Sequence, residues 1–323
     1  MEVRSKLAEY RVRLQPTVRE LKLVGTRIRS SRLSILGAAI IVFYIALALL
    51  GPWIAPAGRP SQGGDPYMIP KFGILVTPQP PGSIVHGNYA LFGTTAWQYD
   101  IYYGCVWGTR SAFRVGLLVV IPSLLVGLVL GMIAGYYGGY LDELFMRLTD
   151  VIMAFPSLIL DMALIVVLVP LGVQRLDAVM LAFVLVGWTN YARVIRGEVL
   201  RTKNEDYVEA AKSIGCSDLR VIAKHILPNS IYPVLIMASL DIGTTVLGVA
   251  ALTFIGLGAP EGYADWGQLI AYSRNFIFGK PDNPFGYWYT FIIPGLFISF
   301  FTLGWNLLGD AFRDILDPTI RRK

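Results

Sequence analysis

The sequence predicts an all-α integral membrane protein with six transmembrane helices, and three observations predict it. Charged residues make up only 15% of the 323 residues, and mean hydropathy is +0.56, whereas a soluble domain carries about 25% charged residues. The apolar residues fall in blocks near the length of ~20 that an α-helix needs to cross the hydrocarbon core. Basic residues gather between the blocks so that one orientation satisfies them all.

Residues 1–34 carry nine basic side chains from Arg4 to Arg32 against Glu2, Glu9 and Glu20. The segment has no apolar core of its own, so it does not read as a cleavable signal peptide. It is placed in the cytoplasm. Val18, Leu21, Val24 or Gly25, and Ile28 share one helical face there, which suits a basic amphipathic helix on the inner leaflet. A basic tail without fixed structure is the alternative.

The first span, Ile35 to Ile54, contains no charge. Residues 55–110 then read as an extracytoplasmic segment, Pro- and Gly-rich at first and aromatic later. Its aromatic residues form either an interfacial belt or a docking surface for an external partner, with Trp97 and Tyr99 as candidates. The core follows over residues 111–309, with spans Phe113 to Tyr137, Val151 to Val169, Ala178 to Tyr191, Tyr232 to Ile255, and Trp288 to Leu308. A second outer loop, 258–287, repeats the aromatic style and adds Trp266 as a contact candidate. The tail, 310–323, returns to the cytoplasm with Arg313, Arg321, Arg322 and Lys323. The net charge of +6 reflects this orientation beside anionic lipid and does not indicate nucleic acid binding.

The loop 194–231 is polar yet too long for a simple link, since helix connections usually run about 2–8 residues. Within it, Tyr207, Ala210 or Ala211, and Ile214 fall on one helical stripe. Glu205, Asp206 and Glu209 put acid near the start of that helix, where its dipole favours it. Gly215 supplies a left-handed stop. Ser217 suits the N-cap of a second helix, which Pro228 is expected to close. The result is a helix-turn-helix with a small-residue ridge.

Glu209-Ala210-Ala211, Gly215 and Leu227-Pro228 resemble the EAA loop of binding-protein-dependent ABC import permeases. His225 stands where the usual pattern has Ile. "NSIYPVLIMASL", "ALTFIGLGAP", "GYYGGYLDELFMRLTDVIMAFPSLIL" and "WNLLGDAFRDILDP" are similar to the second permease of dipeptide, oligopeptide and nickel importers. The family's outer Gly-Thr-Asp…Gly-Arg-Asp run survives only as Gly93-Thr94-Thr95 and Asp100, behind a segment longer than usual. The resemblance implies a type I ABC importer permease fold in a prokaryotic cell membrane. It implies four kinds of partner: a second homologous permease, two cytoplasmic ATPases, an external substrate-binding protein and membrane lipid. ATP and magnesium would sit on the ATPases, with no cofactor in this chain. Tyr207, Glu209, Ala210, Ala211, Ile214, Gly215, Leu227 and Pro228 would form the ATPase-coupling element. Di- or oligopeptides are the implied cargo, with oligosaccharides or nickel complexes as alternatives.

Asp161 and Asp241 fall inside spans, where a carboxylate costs at least ~2.5–3.5 kcal/mol and so faces a cavity or a partner. Asp241, with Thr244 and Thr245 nearby, lines a translocation path or bonds a neighbouring helix. Asp161 lines the same path or sits at the outer mouth. Trp188 and Asn190 help form an inner gate or pack. Cys105 and Cys216 are assigned to opposite sides, as are His86 and His225, which removes a disulfide and a shared metal site. No phosphate-binding G-x-x-x-x-G-K-[ST] loop occurs, and no paired nucleophile and base marks an intramembrane enzyme. An ion-coupled carrier could use the two aspartates, but it has no need of an ATPase socket.

Overall fold

The computed structural model describes residues 32–58, 62–279 and 283–316. The basic stretch before Arg32 and the terminal arginines lie outside these residues. Helix α1, Arg32–Ile54, turns Val42, Phe43, Leu49 and Trp53 outward. In water such a face would be costly; against lipid tails it is the natural surface. Helix α2, Ile101–Tyr137, is 37 residues long, or about 55 Å, and projects well beyond a hydrocarbon core of ~30 Å. It starts ahead of the expected span Phe113 to Tyr137, so the end of the 55–110 segment is already helical. Asp100 caps it by accepting from the Tyr102 amide at 3.0 Å. Tyr103 and Trp107 are buried, and the Trp107 indole donates to the Ala55 carbonyl at 2.9 Å.

The expected third span, Val151 to Val169, is a broken pair instead. Helix α3, Gly139–Met153, and helix α4, Ser157–Leu168, meet at 91°. Pro156 lacks an amide hydrogen and steers Phe155 away from helical backbone, so the ladder cannot run through. Helix α5, Arg175–Thr202, is twice the expected Ala178 to Tyr191. Its polar end stays helical because Arg196 forms a two-pronged pair with Asp142 on α3, and Arg193 meets Asp150.

The polar insertion folds as α6, Asp206–Ser213, then α7, Asp218–Val221, a π turn over Ile222–Ile226, and α8, Leu227–Ser230. Helix α9, Tyr232–Ile255, follows at once. The short α10, Trp266–Tyr272, and α11, Tyr289–Leu316, are the last helices among the described residues. Among the described residues, five helices are long and apolar enough to cross a membrane, or six if α3 and α4 together make one span.

Close helix approach organises the core. Gly127, Gly131 and Gly135 form a stripe along α2 that admits Tyr191, Ile195 and Val199 of α5. A Cβ at these glycines would lie 2.5, 2.2 and 2.8 Å from side-chain atoms of the respective partners. Small residues at such seams are the usual means of bringing membrane helices together. Helix α9 packs against α11 on the other side, and α11 against α1, where Gly37 meets Leu307.

Residues 62–100 are likewise more ordered than a Pro/Gly-rich loop suggests. Strands β1, Ser83–Val85, and β2, Asn88–Ala90, pair antiparallel around His86-Gly87, both at positive φ, the geometry that two-residue hairpin turns demand. The segment is stitched to the second outer loop by backbone bonds from Ile69 to Gly262 and from Ala264 to Tyr67, each 2.7 Å. Tyr67 stacks on Tyr263.

Candidate functional sites

Helix α6 ends in a Schellman turn. The Cys216 amide donates to the Ala211 carbonyl at 3.1 Å and the Gly215 amide to the Lys212 carbonyl at 2.9 Å, with Gly215 at φ 84°. Those two bonds satisfy helix-end carbonyls only if one residue turns left-handed. Ser217 does occupy the N-cap position of α7, although its side chain makes no capping bond. Pro228 does not close the second helix, correcting that expectation. It sits at the start of α8, and the π turn ahead of it spaces the carbonyls so that the ring is accommodated. The Leu227 amide accordingly reaches back five residues to the Ile222 carbonyl.

One face of α6 is turned inward. Val208 and Ala211 are buried with Val221 against the chain's own helices, so Ala211 does not belong to the outward stripe, and Val208 was not anticipated. The bond from the Tyr136 hydroxyl to Asp218 (2.6 Å) and the Lys212 ammonium over the Tyr136 ring (5.2 Å) tether the loop to the end of α2. The outward face keeps Tyr207, Ala210 and Ile214, the last 81% exposed, with Leu219 nearby. Glu209 is exposed and makes no ion pair among the described residues. Leu227 is half-buried and Pro228 exposed.

A second constellation lies within the membrane region. Helices α2, α4, α5 and α9 wall a cavity of about 420 Å³, within the usual range for small-molecule sites. Asp161, Asn190, Asp241, Thr244 and Thr245 all line it, as do Val119, Leu158 and Phe183. Asp161 thus faces the same space as Asp241. Trp188 does not line the cavity; it is buried in the seam where its carbonyl faces Gly127. Tyr191, which sequence reasoning did not single out, donates to Asp241 at 2.6 Å. These two residues are 50 positions apart, and no local pattern announces their meeting.

At the far end, two of the three aromatic contact candidates are interior residues. Trp266 is 2% exposed, wedged beside Tyr44 and Phe301, with its indole donating to the Cys105 carbonyl at 3.0 Å. Asp265 caps the helix that carries it, accepting from the Gln268 amide at 3.0 Å; burial pushes this carboxyl up to about 6, opposed by its hydrogen bonds. Tyr99 is 5% exposed, stacks on Tyr272 at 4.4 Å and donates to Glu261. Burial, with Tyr272 beside it, pushes its hydroxyl far above the usual phenol range. Only Trp97 is open, at 48% exposure and φ 64°. Tyr99→Ala should therefore destabilise by about 3–5 kcal/mol, as truncating a buried aromatic does. Trp97→Ala should shift the melting midpoint little, and a thermal melt of the purified protein in detergent checks both.

Residues 127–322 match the family described as binding-protein-dependent transport system inner membrane component. Residues 21–68 match the N-terminal TM domain of oligopeptide transport permease C. The chain belongs to the binding-protein-dependent permeases. It is 33% identical to the dipeptide transport system permease protein DppC of Alkalihalophilus pseudofirmus, covering 91% of this chain and 88% of that one. The oligopeptide transport system permease protein OppC of Bacillus subtilis is 34% identical, over 92% and 88%. For the probable D,D-dipeptide transport system permease protein DdpC of Escherichia coli the figures are 34%, 90% and 89%. Among solved structures, an amino acid ABC transporter shares the fold at a TM-score of 0.50 and 19% identity, over 66% of this chain and 94% of that one. The permease is a multi-pass cell-membrane protein, a transport component of an ABC importer and not itself catalytic.

Proposed function

We propose that this permease forms half of the path by which an ATP-driven importer moves di- or oligopeptides delivered by an external binding protein. The names of its relatives support the cargo. The other half of the path would be a second homologous permease, and two ATPases carrying ATP and magnesium would dock at α6. Arg193, Arg196, Arg201, Lys203, Lys212, Arg220 and Lys224 belong to the loop and its approach, which supports a cytoplasmic side for that end by the positive-inside rule. Residues 1–34 and the tail from 310 onward would lie on that side, and 55–100 and 258–287 outside, with Trp97 left as the aromatic contact for the binding protein.

The observation that carries the reading is the outward face of α6. Tyr207, Ala210 and Ile214 present apolar surface at the polar end of the molecule, beside exposed Glu209, on a helix whose inner face is pinned by Val208 and Ala211. An exposed apolar patch rimmed by charge marks a protein contact. Ile214→Asp should weaken ATPase capture by about 2 kcal/mol, some thirtyfold, as loss of an interface anchor does. Glu209→Ala should cost about 0–1 kcal/mol, the range for a solvent-reached ion pair. Titrating the purified ATPase against the permease pair in nanodiscs measures both. Undiminished capture by the Ile214→Asp variant would refute the docking face.

A further inference from the structure

We infer that the cavity between α2, α4, α5 and α9 is a subsite for a primary ammonium group on the passing solute, with Asp161 as its main acceptor and Asp241 as the second. The inference rests on reading this cavity as part of the translocation path. Asp161 is 3% exposed, and its Oδ1 is buried with no hydrogen-bond partner, yet the residue lines the cavity. A buried acceptor left unbonded carries its full desolvation penalty, larger still for a charged group. The oxygen is therefore placed for something that arrives.

The chemistry of the remaining wall identifies the visitor. Two carboxylates line the cavity and, among the described residues, neither Lys nor Arg does, so its chemistry is complementary to a cationic group. Ser123, Ser157, Asn190 and Thr245 add neutral acceptors, which suits a group with three N–H donors that can be shared among several oxygens. A metal ion is a poorer fit, since no group of three His, Cys, Asp or Glu side chains gathers among the described residues. The Asp241 carboxylate is already held by the Tyr191 hydroxyl at 2.6 Å. That bond fixes its orientation and leaves its other oxygen without a hydrogen bond among the described residues, whereas Asp161 has nothing to move aside. Val119, Leu158 and Phe183 give the same space an apolar side, so a small solute with an amine at one end and an apolar body is accommodated. The amino terminus of a short peptide has this form, and so does a free amine.

The test uses the full chain in complex with its partner subunits, with Cys105 and Cys216 replaced by Ser and Thr244→Cys as a reporter that is open to the cavity. The probes are 2-aminoethyl and 2-sulfonatoethyl methanethiosulfonate, of similar size and opposite charge. The ammonium reagent should react at least about tenfold faster relative to the sulfonate, the low end of focusing by a single-sign cleft. Asp161→Asn should bring the ratio most of the way toward unity, Asp161→Glu should restore it, and Asp241→Asn should lower it less. Dialanine moved per ATP hydrolysed in proteoliposomes should fall in Asp161→Asn and recover in Asp161→Glu. Dialanine, but not ethylamine, should slow the ammonium reagent if a peptide is the source of the amine; protection by both would mark a general amine subsite.

A reagent ratio indifferent to Asp161→Asn would overturn the inference. So would loss of the second permease from the Asp161→Asn complex, because the carboxylate would then be a subunit contact. Absence of ATP-dependent uptake by the wild-type complex would instead defeat the importer reading, and the reagent ratio would still report on the cavity.

Discussion

Gly215→Val is expected to leave the permease inserted and folded while abolishing most ATP-coupled uptake. The residue holds φ at 84°, a region where a β-branched side chain is a genuine outlier, and forcing one there costs on the order of 1–3 kcal/mol. A Cβ at this position meets nothing within 4 Å, so the penalty is purely one of backbone conformation. The cheapest release is to open the Schellman turn and swing α6 away from its seat on Val221, because the loop lies outside the packed spans. Uptake and ATPase co-purification should both fall sharply, with the detergent melting profile close to wild type. Gly215→Asn is the informative control: Asn tolerates the left-handed region and should retain most of the activity. Wild-type transport by the Gly215→Val variant would sink the coupling role of this turn.

The second large effect belongs to the membrane core. Gly131→Leu should deplete folded protein severely, because the first added carbon would already lie 2.2 Å from Ile195 Cγ2 and 2.3 Å from the Ala192 carbonyl oxygen. A backbone oxygen cannot rotate out of the way, so α2 and α5 must separate along their whole seam. Overpacking costs typically about 1–3 kcal/mol, occasionally more, and this site has little room to relax. Gly197→Ala on α5 is the contrast, since its Cβ would meet nothing within 4 Å and alanine favours helix by about 1 kcal/mol. The fraction of monodisperse protein on size exclusion, with the two variants side by side, decides the matter. Equal yields would mean that the seam is not close-packed.

What could be read from the chain alone depended on how local its cause was. Gly215 was legible because a helix stop is written in one residue and its immediate flanks. The spans were legible because a run such as Ile35 to Ile54 has no alternative use. The 91° break between α3 and α4 was half visible: Pro156 announces an interruption, but the first arm is held to α5 by ion pairs from Asp150 and Asp142 to Arg193 and Arg196, 43 and 54 residues further on. The early start of α2 was hidden because Tyr103 and Trp107 look the same in a membrane belt as in a buried helix. Tyr99 and Trp266 misled for the same reason: an aromatic side chain declares no side until its neighbours are known. Among membrane-buried groups, the paired fate of Asp241 and the solitary one of Asp161 follow from which helix brings a hydroxyl within reach.

The π turn at Ile222–Ile226 has a consequence in rotational phase. It takes up one residue more than an α ladder would over the same contacts, and each residue of an α-helix advances the chain by about 100° and ~1.5 Å. Everything before the turn is thereby set at a fixed angle to α9, independently of how α9 is oriented in the bundle. With a plain α ladder, Val221 would rotate a quarter turn or more from its buried position, carrying the seat of Val208 and Ala211 with it, and Pro228 would press on the carbonyl four residues back. The extra residue thus serves as an angular offset, aligning the face that α6 presents at one end of the rod with the wall that α9 contributes to the cavity at the other.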